Sequence, residues 1–190
     1  MNQAEFRSAA LSVSGAEDQQ TVEGYAAVFN TPTILYSMDG IDFYETVDAG
    51  AFDGADVSNV VLRYNHSDNF QILARTSNDT LRISADAVGL KIEADIANTT
   101  QGRDIYELIR RKDITKMSYG YIIDKSYYEK VSERKYIRHV SKIGRVIDVS
   151  VVDLPAYDTT HVEVVNRSSK GIKDEFLNIK RKKIELKSKI

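Results

Sequence analysis

Three side chains that lie far apart in the chain have the types needed for nucleophilic acyl transfer. His66 follows an apolar run, Ser118 lies at the start of another, and Asp148 lies inside a third. A serine hydroxyl becomes a good nucleophile when a neighbouring base takes its proton. A carboxylate can hold that base, an imidazole, in the correct tautomer. These residues could therefore supply the nucleophile, the general base and the orienting acid.

Each of the three residues also has a purely structural interpretation. His66 begins a polar turn at 66–69 and could cap it, and Ser118 could simply bond to the backbone. Asp148 shares one face of its strand with Ser150, so that face could point to solvent. The chain order His, Ser, Asp matches none of the familiar triads, and no Gly-x-Ser-x-Gly motif is present. The residues alone leave both interpretations open.

The segments that must position these side chains are predicted to be mainly β-strands. Alternating apolar and polar residues, rich in β-branched and aromatic types, are typical of strands. The predicted strands are 21–29, 43–47, 57–64, 81–85, 90–94, 116–128, 135–141 and 145–152. The two strands within 81–94 form a hairpin. The stretch before residue 43 is predicted to be a loop with a turn at 38–40.

One helix is predicted in the body of the chain, at 102–112. Apolar residues recur across it at helical spacing, and Thr99 or Thr100 is available to cap its start. A thinner apolar stripe from about residue 172 onward predicts a helical tail, and the linker before that tail begins at Ser168.

The fold class predicted from these elements is α+β and mainly β. Many strands with few helices favour a closed or nearly closed β-barrel, with one or two flanking helices and a C-terminal helical tail. The pattern by itself does not separate a barrel from a sandwich. We expect residues 1–167 to form one domain and residues 168–190 to form a basic linker and tail.

Composition excludes several kinds of site and suggests few partners. The chain has no cysteine, which rules out disulfides, thiolate zinc sites and cysteine nucleophiles. No apolar run approaches the roughly 20 residues of a membrane span, and the first residues lack the pattern of a signal peptide. From residue 167 onward nine Lys or Arg face three Asp or Glu, a net charge of +6, which leaves −8 for the rest. The basic tail lacks a recognised nucleic-acid-binding motif, so we do not expect nucleic acid as a partner.

Six segments of the chain occur in the order and spacing of one known family. They are 23–30, 45–52, 61–67, 89–94, 117–121 and 147–157. The segment 117–121 contains Ser-x-Gly followed by an aromatic residue, and 147–157 ends in Pro-Ala-Tyr. Over about residues 5–167 the chain resembles the prohead maturation proteases of tailed bacteriophages, whose fold and active site are related to those of the herpesvirus capsid-maturation proteases.

The resemblance implies roles for the residues that match the family motifs. Ser118 corresponds to the nucleophile and His66 to the base. Asp148 stands where the family usually has Glu, and His139 and Asp153 are the other candidates for the third member. A second departure is Leu-Ala-Arg at 73–75, where the family often has Leu-Gly-Arg.

The herpesvirus relatives suggest a source for the oxyanion hole. By that analogy, the backbone of Ala156 and Tyr157 could contribute amides to it.

The resemblance also implies what the protein does. It predicts a serine endopeptidase that cleaves scaffold or capsid protein during prohead maturation and cleaves itself, without metal or cofactor. The expected partners are the major capsid protein and its scaffolding segment, in the bacterial host cytoplasm inside the assembling prohead. A homo-oligomer is left open and no membrane partner is expected. The alternative is a non-catalytic capsid-assembly or scaffold-binding module with the same fold.

Overall fold

Two β-sheets and one α-helix account for most of the regular structure of the described residues. The computed structural model describes residues 12–14, 20–69 and 71–153, all within one unit, Met1–Asp158. In chain order its elements are β1 Ser12–Ser14, β2 Thr21–Val28, β3 Thr33–Met38, β4 Ile41–Val47, β5 Val61–Tyr64, β6 Ala74–Arg75, a 3₁₀ turn Thr76–Asn78, β7 Leu81–Ala85, β8 Gly89–Asp95, α1 Thr100–Arg110, β9 Lys116–Ser132 and β10 Lys135–Val152.

The first sheet is antiparallel, with the strand order β1-β2-β8-β7. The hairpin predicted at 81–94 is confirmed as β7 and β8. Asp86 closes its turn, because its Oδ1 accepts hydrogen bonds from the backbone N–H groups of Val88 at 2.7 Å and Gly89 at 3.0 Å. Alternation and turn chemistry were sufficient here because the pairing is local in sequence.

The second sheet is organised around β10. Its strand order is β3-β4-β10-β5-β6, and β9 also pairs with β10. β9 runs antiparallel to β10 over the whole length of both strands. β4 and β5 are parallel to β10, β4 along 135–140 and β5 along 148–151. Because β9 occupies one edge of β10 throughout, β4 and β5 share the other edge.

β10 is one continuous strand, which corrects the prediction of separate strands at 135–141 and 145–152. The residues between them keep their pairing with β9 through local register shifts. On the other edge, the segment between β4 and β5 completes the hydrogen bonding. Ile143 N–H donates to the carbonyl of Ala51 at 2.7 Å, and Asp56 N–H donates to that of Gly144 at 2.8 Å.

The segment before β4, predicted to be a loop, contains the strand β3. β3 pairs with β4 across a turn at Asp39 and Gly40, whose φ angles are 53° and 74°, so the turn predicted at 38–40 is correct. The rings of Tyr36 and Phe43 stack across this hairpin with centroids 4.7 Å apart. Such a cross-strand contact stabilises a pairing that the pattern of one segment does not reveal.

β5 is shorter than the strand predicted at 57–64. Residues before Val61 form a turn, in which Asp56 Oδ1 accepts from the backbone N–H of Ser58 at 3.0 Å and from its hydroxyl at 2.6 Å. Asp56 also forms an isolated bridge with Arg145 of β10. The apolar run therefore becomes a strand only where it reaches β10 directly.

The predicted helix is confirmed as α1, two residues earlier than expected. Thr99 is its N-cap, since its hydroxyl accepts from Gly102 N–H at 3.0 Å. Ile105 and Ile109, one turn apart, are buried. The helix is therefore amphipathic, with its apolar side against the sheets.

One core of buried apolar side chains is drawn from both sheets and the helix. It includes Ile92 of the first sheet, Leu62 and Val149 of the second, and Ile109 of α1. The predicted closed or nearly closed barrel is wrong, because the two sheets share no paired strands among the described residues. Both edges of β10 are paired with strands of its own sheet, so β10 cannot join the two sheets.

Two further expectations concern the ends and the surface of the molecule. The predicted boundary at 167 and the helical tail after it lie outside the described residues. In the described ranges, no helix is both long and apolar enough to cross a bilayer.

Candidate active site

A left-handed turn at the end of β5 carries His66. Asn65 and His66 have φ angles of 51° and 52°, a conformation that is uncommon for residues other than glycine and is best tolerated by Asn. The turn is fixed to β10: Asn65 N–H donates to the carbonyl of Val151 at 3.0 Å, and Asp153 N–H donates to Asn65 Oδ1 at 3.2 Å. These bonds bring His66 to the side chains of β10.

The imidazole of His66 contacts the carboxylate of Asp148. His66 Nδ1 lies 2.6 Å from Asp148 Oδ2. The side chain of Asp148 is 13% exposed and that of His66 is 35% exposed, so the carboxylate is largely covered while the ring keeps an open side. A carboxylate that accepts from Nδ1–H favours the tautomer with its lone pair on Nε2, the form a general base needs.

A β-bulge at Ile147 sets the direction of Asp148. Val146 pairs with Tyr121 and Asp148 pairs with Gly120, so two steps along β10 match one step along β9. Ile147 is the extra residue and is half exposed. A bulge changes which face the following residues use. As a result Val146 can be buried while Asp148 contacts His66.

Gly120 leaves the space that the Asp148 carboxylate occupies. A Cβ placed on Gly120 would clash with Asp148 Oδ1 and lie 3.6 Å from Asp148 Cγ. A glycine lets another group approach the backbone closely, because it has no Cβ. In the structure, the group that approaches is the carboxylate itself.

Ser118 lies on β9 directly opposite Ser150 of β10. Side chains that are directly opposite in an antiparallel pair lie on one face, with Cβ atoms about 4.5–5.5 Å apart. Ser118 is 2% exposed. Among the described residues no hydrogen bond to its hydroxyl is present, from His66 or from any other group. Ser150, its partner on β10, bonds to both His66 and Asp148.

Ser150 belongs to the cluster, although the sequence singled it out only as sharing a face with Asp148. Its hydroxyl donates to Asp148 Oδ2 at 3.0 Å and accepts from the backbone N–H of His66 at 3.2 Å. It also lies 3.3 Å from His66 Nδ1. The shared face was the available signal, but the position of β5 beside it was not.

His139, an alternative third member, lies in a different cluster. Its Nδ1 is 2.9 Å from Asp48 Oδ1 and its Nε2 is 3.0 Å from Glu129 Oε2, and its ring stacks on Tyr127 with centroids 4.7 Å apart. Partial burial lowers the pKa of His139, but hydrogen bonds to the two carboxylates outweigh burial and raise it above its usual value. The His139 side chain is 19% exposed, because these partners cover most of it.

Asp153, the other alternative, bonds to the two residues that precede His66. Its Oδ2 accepts from the hydroxyl of Tyr64 at 2.6 Å. This hydrogen bond, together with partial burial, raises the pKa of Tyr64. Asp153 thus anchors the strand end that carries His66.

Two other expectations concern groups around the triad. The proposed oxyanion residues, Ala156 and Tyr157, lie outside the described residues. Within the described part of the chain, no group of three or more His, Asp or Glu side chains is arranged to hold a metal ion.

The arrangement contains the parts of a proton-transfer relay. The Asp148 carboxylate is held at the His66 imidazole, the imidazole is 35% exposed, and the Ser118 hydroxyl lies on β9, the strand that pairs with the strand of Asp148. Such an arrangement suits nucleophilic attack by serine with histidine as base.

Comparison with protein families gives one match that covers most of the chain. The model of the Caudovirus prohead serine protease family matches residues 7–175 of the 190. No curated protein and no solved structure gave a significant match.

Proposed function

This chain belongs to the Caudovirus prohead serine protease family and is a serine endopeptidase, and from that premise we propose that it cleaves scaffold or capsid protein inside the assembling prohead and also cleaves itself. The nucleophile is Ser118, the general base is His66 and the orienting acid is Asp148. The major capsid protein and its scaffolding segment are the substrates, in the cytoplasm of a bacterial host.

One observation carries the residue assignment: the 2.6 Å contact between His66 Nδ1 and Asp148 Oδ2, beside the strand that holds Ser118. These residues come from β9, β10 and the turn after β5, and the two side chains in contact are 82 positions apart. Packing alone does not require an imidazole and a carboxylate on adjacent strands to meet, since an apolar pair would fill the space at lower desolvation cost.

Ser118 is a better nucleophile candidate than Ser150, the other serine of the cluster. Ser150 contacts His66 at Nδ1, the nitrogen already held by Asp148. The base must accept the proton through its other nitrogen. Ser118 has the Ser-x-Gly-aromatic motif of the family, and Gly120 of that motif accommodates the acid.

The reaction proceeds through an acyl-enzyme. Ser118 Oγ attacks the peptide carbonyl carbon while His66 Nε2 accepts the hydroxyl proton. The tetrahedral intermediate collapses, and His66 returns the proton to the leaving amine. Water then attacks the ester with His66 again as base, which releases the acid and regenerates Ser118. Backbone amides at Ala156 and Tyr157 are proposed to bind the oxyanion, a contribution worth about 3 kcal/mol per donor.

The domain organisation is part of the same proposal. Residues 1–167 form the protease domain, and residues 168–190 form a basic tail that is a site of self-cleavage. The fold and site are related to those of the herpesvirus capsid-maturation proteases.

The first prediction concerns Ser118. The chain is co-expressed with its major capsid protein, either as wild type or as Ser118→Ala. We expect wild type to shorten the capsid protein and its own chain, and Ser118→Ala to leave both at full length, because the variant lacks the proposed attacking hydroxyl. Intact mass spectrometry measures both products, and thermal unfolding checks that the variant is folded.

A covalent probe distinguishes the remaining alternatives. A fluorophosphonate should label wild type at Ser118, as located by peptide mass spectrometry. Because Ser118 is 2% exposed, the labelling rate also measures how often the hydroxyl becomes accessible. Undiminished processing by Ser118→Ala would contradict the assignment. Absence of both labelling and processing would favour the non-catalytic assembly module.

A further inference from the structure

Ser150 makes hydrogen bonds that the mechanism above does not use. It is fully buried, at 0% exposure, on β10 between β5 and β9. Its hydroxyl oxygen lies within hydrogen-bond distance of the Asp148 carboxylate, the His66 backbone N–H and the His66 ring.

The directions of these bonds follow from counting protons. A hydroxyl has one proton to donate and can accept two. The backbone N–H of His66 can only donate, so Ser150 Oγ accepts there at 3.2 Å. Asp148 Oδ2 accepts the proton of Ser150 at 3.0 Å and that of His66 Nδ1 at 2.6 Å. Asp148 Oδ2 thus accepts both hydrogen bonds.

The left-handed turn explains why such a link is needed. Asn65 and His66 both have positive φ angles, and residues outside glycine hold this conformation when their surroundings fix it. Asn65 is fixed by bonds to Val151 and Asp153. Ser150 provides the bond for His66 itself, from the strand that also carries the acid.

We propose that Ser150 is a positioning residue that fixes the His66 backbone and the Asp148 carboxylate relative to each other, so that Nε2 faces the nucleophile. The inference rests on the proposed function, because it assigns a task in that reaction. Ser150 acts through His66 and Asp148 and does not touch substrate.

The test uses the full-length protein and a fluorophosphonate probe. Ser150→Ala removes the hydroxyl, Ser150→Cys keeps a group of similar size that is a weak hydrogen-bonding partner, and Ser150→Thr restores a hydroxyl. Ser141→Ala is the matched control, since Ser141 is also on β10 and its hydroxyl bonds to the backbone of Lys125.

We expect Ser150→Ala and Ser150→Cys to lower the maximal labelling rate of Ser118 by about tenfold to a hundredfold, the scale of a misplaced catalytic group. The probe concentration for half-maximal rate should stay within about twofold of wild type, because Ser150 does not contact the probe. Ser141→Ala should label like wild type. Ser150→Thr, if folded, should recover most of the rate.

A spectroscopic readout separates positioning from a general loss of stability. In wild type, the Nδ1 proton of His66 should give a downfield proton NMR resonance, since it is held by Asp148. This resonance should broaden or disappear in Ser150→Ala, at temperatures where circular dichroism shows a folded protein, and persist in Ser141→Ala.

Each outcome decides the inference. Unchanged labelling and an unchanged resonance in both Ser150→Ala and Ser150→Cys overturn it, while Ser118 keeps its role. A folded Ser150→Thr that labels as slowly as Ser150→Ala also overturns it. Probe attached to Ser150 in wild type overturns it by showing that Ser150 is the nucleophile. A wild type that neither labels nor cleaves removes the proposed function together with the inference.

Discussion

The hydrogen atom that serves as the side chain of Gly120 is what allows Asp148 to reach His66. The carboxylate lies where a Cβ would be, and the obstructing atoms belong to the end of the Asp148 side chain rather than to backbone. A methyl group at this position would therefore be accommodated by movement of the acid. The space that the Asp148 carboxylate needs explains why glycine stands two residues after Ser118 in this motif.

This leads to a prediction for Gly120→Ala. We expect the protein to fold, and the Ser118 labelling rate to fall about tenfold to a hundredfold as the carboxylate moves away from the imidazole. Gly144→Ala is the matched control, because a Cβ there would displace the exposed carboxylate of Asp124 on the same hairpin. If Gly120→Ala labelled at Ser118 as fast as Gly144→Ala, with both close to wild type, Asp148 would not orient His66.

At the scale of elements, the sequence predicted those features that depend on neighbours in the chain. The hairpin at 81–94, the helix and the end of β5 at His66 all follow from local patterns. The sequence also placed Asp148 and Ser150 on one face of a strand. It could not show that β5 lies next to that face, which is what joins both residues to His66.

The errors at this scale have a common physical origin. β10 continues through 142–144 because the segment between β4 and β5 satisfies its hydrogen bonds, a partner that is remote in sequence. The bulge at Ile147 likewise depends on the register with β9. The predicted barrel failed for the same reason, since strand order in a sheet is decided by long-range pairing.

A third prediction concerns the start of α1, where the sequence left Thr99 and Thr100 open. Thr99 accepts the hydrogen bond from Gly102 N–H, so Thr99→Ala should lower the free energy of unfolding by about 1 kcal/mol. Thr100→Ala is the control and should have a smaller effect, because the Thr100 hydroxyl accepts an exposed hydrogen bond from the Arg103 side chain at 3.4 Å and does not cap the helix. Urea unfolding measures both. A larger loss for Thr100→Ala would contradict the assigned cap.

At the scale of the whole molecule, His139 connects three strands of the second sheet. It lies on β10, while Asp48 follows β4 and Glu129 lies on β9. Since the folded state raises the pKa of His139, it binds the proton more tightly than the unfolded chain does. The stabilisation that protonated His139 contributes is complete below its unfolded pKa of about 6.5. It is lost as pH rises through the higher pKa of the folded state.

The corresponding prediction compares wild type with His139→Gln in urea unfolding at two pH values. The variant should be less stable than wild type by a larger margin at pH 6 than at pH 9. Tyr127, which stacks on His139, does not contribute to the difference between the two pH values. Partial burial and the charge of Asp48 raise the pKa of its phenol, so the phenol stays protonated at both. An equal margin at both pH values would show that the charged form of His139 is not stabilised in the fold.

The central place of β10 in the second sheet also has a consequence for synthesis. β10 is the last strand to leave the ribosome among those described, yet it provides Asp148 and Ser150 and lies between the strand of Ser118 and the strand before His66. In a nascent chain the proposed nucleophile, Ser118, and the proposed base, His66, are therefore synthesised before the strand that joins them. From the proposed assignment we expect proteolytic capacity to arise only once translation has passed residue 152, so that a chain interrupted earlier does not digest its neighbours on the polysome.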